Sequence, residues 1–193
     1  RIIVCPTLFV VQGYPLALSG QWRATPIELL RADPQILFAM DDLVDIPADK
    51  LPERVKKLMA DAKPGQMLTS SSTLPATPRT GMENLRRLVD AGVTVVMGTD
   101  AGNIGTLHGP SIHREFALMR EAGLTPAEIL RAATVNGARA LGMADSAGRI
   151  APRMRADLVI LDADPLADVG NLQKVYRVLK DGVVYDPGEL MRE

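Results

Sequence analysis

Val93-Thr94-Val95-Val96-Met97-Gly98-Thr99-Asp100-Ala101-Gly102 is the stretch that decides the fold. Five apolar or β-branched residues without alternation predict a strand buried on both faces, as in a parallel sheet. The strand runs through Gly98 onto a carboxylate, Asp100. Just upstream, residues 82–91 predict a helix with Leu85, Leu88 and Val89 inward and Gly92 as its cap. Further back, the unbroken apolar run 2–11 predicts a second buried strand, and Gly13, Pro15, Ser19 and Gly20 predict a loop after it. Strand, helices and strand make a β–α–β unit, so a parallel pair with a right-handed crossover is expected.

Between the two strands, Thr25-Pro26-Ile27-Glu28 is a helix start, with Thr as N-cap, Pro in the first turn and Glu three residues on. One or two short helices, broken near Pro34, are expected as far as Val44. Residues 47–62 place Leu51, Val55, Leu58 and Met59 on one helical face, and residues 66–80 read as a long Ser/Thr/Pro-rich loop. Beyond Gly102 a glycine-rich loop leads to a helix over 110–122. Thr125-Pro126-Ala127-Glu128 repeats the capping signature and opens a helix to about Val135, with a further short helix over 136–141. The period then changes: residues 148–150, 156–161, 175–179 and 183–185 predict short strands, the last two joined by an Asp181-Gly182 hairpin turn. This antiparallel tail has too few strands to stand alone.

The chain has 193 residues, with 22 Lys+Arg against 23 Asp+Glu, a net charge of −1. That balance argues against a nucleic-acid or anionic-membrane partner. Only 4% of residues are aromatic, so the core is aliphatic, which suits layered α/β packing. A single cysteine, Cys5, excludes an intrachain disulfide and a cysteine zinc cluster, and reads as a small core residue. No run of about 20 apolar residues occurs that could cross a membrane. The apolar stretch 2–18 is broken by Pro6, Gln12, Gly13 and Pro15, which argues against a secretory signal. The first residue is Arg1 rather than Met, so we expect the chain to begin inside a longer protein. At 193 residues it is short for an eight-stranded α/β barrel, which takes about 250.

Asp100, at the carboxyl end of a parallel strand, stands where α/β folds gather their active sites. A carboxylate there can ligate a divalent metal or deprotonate a water held by one; equally, Asp-Ala-Gly is ordinary turn chemistry. The glycines around Asn103, Thr106 and His108 match neither phosphate-binding fingerprint. His108 can bind substrate or shuttle a proton. His113, inside the next helix, reads as a hydrogen-bonded or exposed surface residue, and its five-residue separation from His108 is not that of helical zinc ligands.

Four ordered stretches carry a family resemblance. They are Ala91-Gly92-Val93 leading to Gly98-Thr99-Asp100-Ala101-Gly102; Leu107-His108-Gly109-Pro110 leading to Arg114-Glu115; Ala122-Gly123-Leu124-Thr125-Pro126-Ala127-Glu128-Ile129-Leu130 with Ala133-Thr134-Val135-Asn136-Gly137-Ala138; and Gly148-Arg149-Ile150 through Ala156-Asp157-Leu158-Val159-Ile160-Leu161 to Asp164-Pro165-Leu166. On these residues the chain resembles the C-terminal half of the amidohydrolase superfamily, in particular its imidazolonepropionase-like and prolidase-like members.

The resemblance implies an α/β fold: the C-terminal part of a (β/α)8 TIM barrel over residues 1–145, with strands seven and eight, and strands of a small composite β-sandwich over 146–193. It implies a metal-dependent hydrolase of amide-type C–N bonds, acting on a dipeptide, an N-acyl amino acid or a cyclic amide, with one or two divalent ions, zinc foremost. Asp100 falls on the strand-eight aspartate that binds metal and activates water. Gly102, Asn103 and His108 are the expected substrate-binding residues, under loops 69–79 and 103–110. The family's His-x-His pair, its bridging lysine or glutamate and its later histidines lie on earlier strands, so the chain reads as a C-terminal fragment. One departure is visible: the family's Gly-x-Ile-x-x-Gly-Lys pattern has Arg153 and Met154 in its last two places. A small-molecule substrate, a cytoplasmic location and a homo-oligomer are compatible with this reading. The alternative is a non-catalytic assembly module of the same fold that has lost its metal ligands.

Overall fold

The computed structural model describes residues 2–18, 22–37 and 78–190. These fall into two compact units, one drawn from Arg1–Pro6, Leu85–Gly98 and Phe116–Glu193, the other from Thr7–Asn84 and Thr99–Glu115. The expected amphipathic helix over 47–62, and all of the expected loop 66–80 except its last three residues, lie outside the described residues.

In the first unit, strand β1 (Ile3–Val4) pairs in parallel with β2 (Thr94–Val95), Ile3 opposite Thr94 and Val4 opposite Val95. The expected parallel pair is therefore present, but short. Val96 N–H prolongs it by donating to the Val4 carbonyl at 2.9 Å. Helix α3 (Pro78–Asp90), which belongs to this unit from Leu85 on, precedes β2 and starts on a proline, earlier than the loop reading of 66–80 allowed. Pro at the first helical position loses no hydrogen bond, because that N–H has no partner in a helix.

After β2, helix α4 (Ile112–Glu121), whose residues from Phe116 on belong to this unit, and helix α5 (Pro126–Arg131) follow. Thr125 caps α5 as expected: its hydroxyl accepts from Glu128 N–H, and the Glu128 carboxylate accepts from Thr125 N–H at 2.8 Å. The helix does not stop near Val135 and restart. It continues through a π-helical turn, Ala132–Asn136, into α6 (Gly137–Ala140). Asn136 Nδ2 donates to the Val95 carbonyl at 2.8 Å, and Met97 N–H donates to the Ala132 carbonyl at 3.2 Å.

The tail is a three-stranded antiparallel sheet in the order β3 (Leu158–Leu161), β4 (Val175–Lys180), β5 (Val183–Tyr185). The Asp181-Gly182 turn joins β4 and β5 with φ of 50° and 82°, the two positive angles of a type I′ hairpin. The expected strand over 148–150 is absent. Gly148 has φ 90°, and a β-carbon on it would lie 2.7 Å from Ala138 Cβ, so this glycine closes on the helix rather than extending.

In the second unit lies the main correction. The run 2–11 is a strand only at Ile3–Val4; Leu8–Leu18 form helix α1, through the residues expected to be loop. The run is apolar on every side, and periodicity cannot then separate a buried strand from a buried helix. The deciding contact is distant in sequence. The Glu115 carboxylate, fully buried, accepts from Leu8 N–H at 2.9 Å and Phe9 N–H at 2.8 Å, satisfying two donors that a helix start leaves open. Helix α2 (Pro26–Arg31) is capped by Thr25 with Glu28 in the reciprocal position, as expected. Residues 34–37 are helical again. Ala17, Trp22 and Leu107 form the buried centre of this unit, with Leu16, Ala24, Ala32, Leu37 and Ile104 against it. Among the described residues no helix is long and apolar enough to cross a membrane.

Candidate active site

Beyond β2 the chain enters the glycine loop. A β-carbon on Gly98 would fall 2.5 Å from Cys5 Sγ, so a side chain there would force the thiol aside. Asp100 follows, exposed, with φ 55°. Few residue types hold a left-handed backbone, and Asp is one of those enriched there. Its carbonyl accepts from Asn103 Nδ2 at 2.9 Å and from Asn103 N–H at 3.4 Å. The loop then closes on itself: Gly102 N–H donates to the Thr106 carbonyl at 3.1 Å and Thr106 N–H to the Asn103 carbonyl at 2.9 Å.

The structure gathers the expected site residues in this one loop. A β-carbon on Gly102, whose φ is 98°, would lie 3.3 Å from His108 Nε2, so the exposed imidazole rests beside a bare backbone. Asn103 links to Asp100 as above. Arg79, the last residue of the expected loop 69–79, is exposed in the first turn of α3.

A scaffold from α1, α2 and α4 holds the loop; of its side chains the sequence marked Glu28 as a capping residue and Arg114 as family-like without a role, and it did not mark Tyr14, Trp22 or Ser111. Tyr14 Oη donates to Asn103 Oδ1 at 2.6 Å, and Trp22 Nε1 to the Gly105 carbonyl at 3.1 Å. Gly13 and Gly105 meet backbone to backbone; a β-carbon on Gly105 would lie 2.6 Å from the Gly13 oxygen. Ser111 Oγ accepts from Leu107 N–H at 2.8 Å. Arg114 donates twice to the fully buried Glu28 carboxylate, from Nε at 2.7 Å and Nη2 at 2.5 Å, while its guanidinium lies 4.9 Å from the Phe9 ring centre and 5.5 Å from that of Trp22.

The electrostatics follow from these partners. Burial pushes the Glu28 carboxyl up, but the Arg114 and Thr25 hydrogen bonds and the Arg114 charge outweigh it and hold the group below its ordinary value. Burial pushes the His113 imidazole down against the opposing pull of Glu28. Burial raises the Glu115 carboxyl, with the Phe9 and Leu8 N–H groups opposing.

Asp100 offers a divalent cation one hard oxygen ligand. Among the described residues no group of three or more His, Cys, Asp or Glu is gathered to complete a coordination set.

The amidohydrolase family model matches residues 34–185, and the chain belongs to that family, as the resemblance implied. Imidazolonepropionase of Salinispora tropica is 37% identical over 145 residues, covering 73% of this chain and 34% of its own length. Imidazolonepropionase of Streptomyces griseus is 44% identical over 103 residues, covering 51% of this chain and 26% of its own. The chain thus spans about a third, or less, of these curated relatives. Among solved structures, a Xaa-Pro dipeptidase with bound methionine in the active site superposes with a TM-score of 0.63 at 22% identity, covering 95% of this chain and 34% of that one. Bottromycin amidohydrolase gives 0.61 at 28% identity, covering 97% and 38%. These neighbours imply a TIM-barrel-type fold, and the family is generally metal-dependent.

Proposed function

We propose that the chain forms part of a metal-dependent hydrolase of amide-type C–N bonds, with a dipeptide, an N-acyl amino acid or a cyclic amide as its small-molecule substrate. Residues 1–145 are the C-terminal portion of the barrel, with β1 as strand seven and β2 as strand eight. Residues 146–193 are strands of a composite β-sandwich. The observation that carries the reading is Asp100: an exposed carboxylate just past the end of a parallel strand, in a left-handed turn fixed by its own loop. One or two divalent ions, zinc foremost, would supply positive charge that acidifies water and polarises a carbonyl. Asp100 contributes one ligand oxygen and takes the proton of the attacking water on its carboxylate. Gly102, His108 and the remaining amide hydrogen of Asn103 face the substrate. A cytoplasmic homo-oligomer completes the proposal.

The test is Asp100→Asn in the full-length polypeptide. The amide keeps the shape and loses the basic site, and removing a general base costs about 10²–10⁴ in rate. With a verified substrate, kcat falls by at least a hundredfold while the protein still folds, because the side chain is exposed. Wild-type kcat would return Asp100 to a turn residue and favour the non-catalytic assembly module.

A further inference from the structure

We infer that Tyr14 is a positioning residue for Asp100, acting through the side chain of Asn103. The inference rests on the catalytic reading of Asp100 above and goes beyond it, since nothing in the family match or in the sequence pattern singles out Tyr14.

The chain of contacts is short and directional. Tyr14 Oη donates to Asn103 Oδ1 at 2.6 Å, and Asn103 Nδ2 donates to the Asp100 carbonyl at 2.9 Å. A side-chain amide can face either way, and its hydrogen-bond partners settle which. The phenol supplies a donor, so it fixes the oxygen end toward α1 and leaves the nitrogen end for Asp100. Asp100 needs that restraint. At φ 55° it occupies a conformation that persists only where its surroundings determine it, and the direction of its carboxylate follows from that backbone.

The phenol itself arrives on a fixed support. Helix α1 is pinned at its start by Glu115 and pressed against the loop one residue before Tyr14, where Gly13 meets Gly105. The loop therefore cannot follow a displaced amide without moving against a backbone contact that has no side chain to yield. Asn103 also has less left for substrate than its residue type suggests: of two lone pairs and two amide hydrogens, one of each is already engaged.

Four variants of the full-length polypeptide test this: Tyr14→Phe, Asn103→Ala, the double variant, and Asp100→Asn as reference. Tyr14→Phe should lower kcat about tenfold, the worth of one ordinary hydrogen bond, with KM within about twofold and the melting temperature nearly unchanged. The double variant should be no slower than Asn103→Ala, because both changes cut one chain. Independently of turnover, the side-chain amide resonances of Asn103 in ¹⁵N-labelled protein should shift in Tyr14→Phe. Wild-type kcat for Tyr14→Phe beside a crippled Asp100→Asn overturns the positioning role alone. So do additive effects in the double variant. Wild-type kcat for Asp100→Asn instead removes the catalytic reading, and this inference falls with it. Should Tyr14→Phe not fold, Asn103→Ala takes its place in the comparison, with an unshifted kcat as the refuting result.

Discussion

Arg153 is the third residue of a tight turn, with Pro152 before it and Met154 N–H donating to the Ala151 carbonyl at 3.2 Å. Its φ is 70°. Proline second and a left-handed third residue is the requirement of a type II turn, whose third place belongs to glycine. This is the position where the sequence departs from the family's glycine, so the anomaly was legible as a residue type. What was not legible is that the backbone stays left-handed and accepts the side chain. A β-carbon there costs about 1–2 kcal/mol. Glycine returns part of that gain as greater freedom of the unfolded chain, about 0.4–1 kcal/mol. Arg153→Gly should therefore stabilise the protein by roughly 0.5–1 kcal/mol, read as a higher urea midpoint. A lower midpoint would mean that the exposed arginine makes a contact worth more than the strain. Asp100 carries the same kind of backbone without a glycine, and there the sequence did mark the residue, through its place after a buried strand.

At the scale of elements, two identical signatures have unequal fates. Thr25-Pro26-Ile27-Glu28 and Thr125-Pro126-Ala127-Glu128 both form complete capping boxes, and both were read from local sequence because a cap is local chemistry. Each capping glutamate also meets an arginine from another helix, which no local pattern reveals. Glu128 meets Arg86, with Arg86 29% and Glu128 35% exposed. Glu28 meets Arg114, with Arg114 19% exposed and Glu28 not at all. Removing one partner of a buried pair leaves the other charge desolvated and alone, so Glu28→Gln should cost about 3 kcal/mol. Glu128→Gln, in a water-screened pair, should cost clearly less.

The pH dependence has a definite sign. Glu28 titrates below its ordinary 4.5 in the fold, so its contribution is complete above pH 4.5 and is lost as pH falls through the lowered value. His113, held below 6.5 by burial, likewise weakens the fold as pH drops from 6.5. Glu115, raised by burial, works the other way, its neutral form being favoured as pH falls toward 4.5. The melting-temperature gap between wild type and Glu28→Gln should narrow as pH is taken below 4.5. A gap that stays constant down to pH 3 would show that the Glu28 charge does not carry the difference. Helix α1 is the element that sequence could not give, because its start is decided by Glu115, 107 residues away.

On the scale of the whole molecule, the tail sheet leaves apolar side chains uncovered. Neighbouring residues of a strand point to opposite faces. Val159 and Ile160 are 59% and 46% exposed, and Val183 and Val184 are 54% and 60% exposed. Both faces of β3–β4–β5 therefore present apolar side chains to water. Contiguous exposed apolar surface drives association. The 193-residue chain expressed by itself should bind a hydrophobic dye such as anilinonaphthalene sulfonate and self-associate in sedimentation. A monomer that unfolds cooperatively and binds no dye would contradict this. The antiparallel order of the tail was readable from its hairpin and its short strands. The parallel pair was readable from two apolar runs, though not its length of two residues.

The π-helical turn at Ala132–Asn136 has a consequence for phase. Such a turn holds one more residue than the α-helical turn it replaces. Residues of an α-helix advance by about 100° each, so Ile129 and Ala138, nine apart, would point to opposite sides of an uninterrupted helix. Both are buried, at 0% and 8% exposure. The wider turn brings the later residue back round, while Asn136 bonds the last residue of β2, Val95, and Ala132 bonds Met97 two residues beyond it. The segment thus behaves as an α-helix carrying a single inserted residue. A length change of one is absorbed within those five positions, whereas the same change in the preceding turn would swing every later side chain off its face.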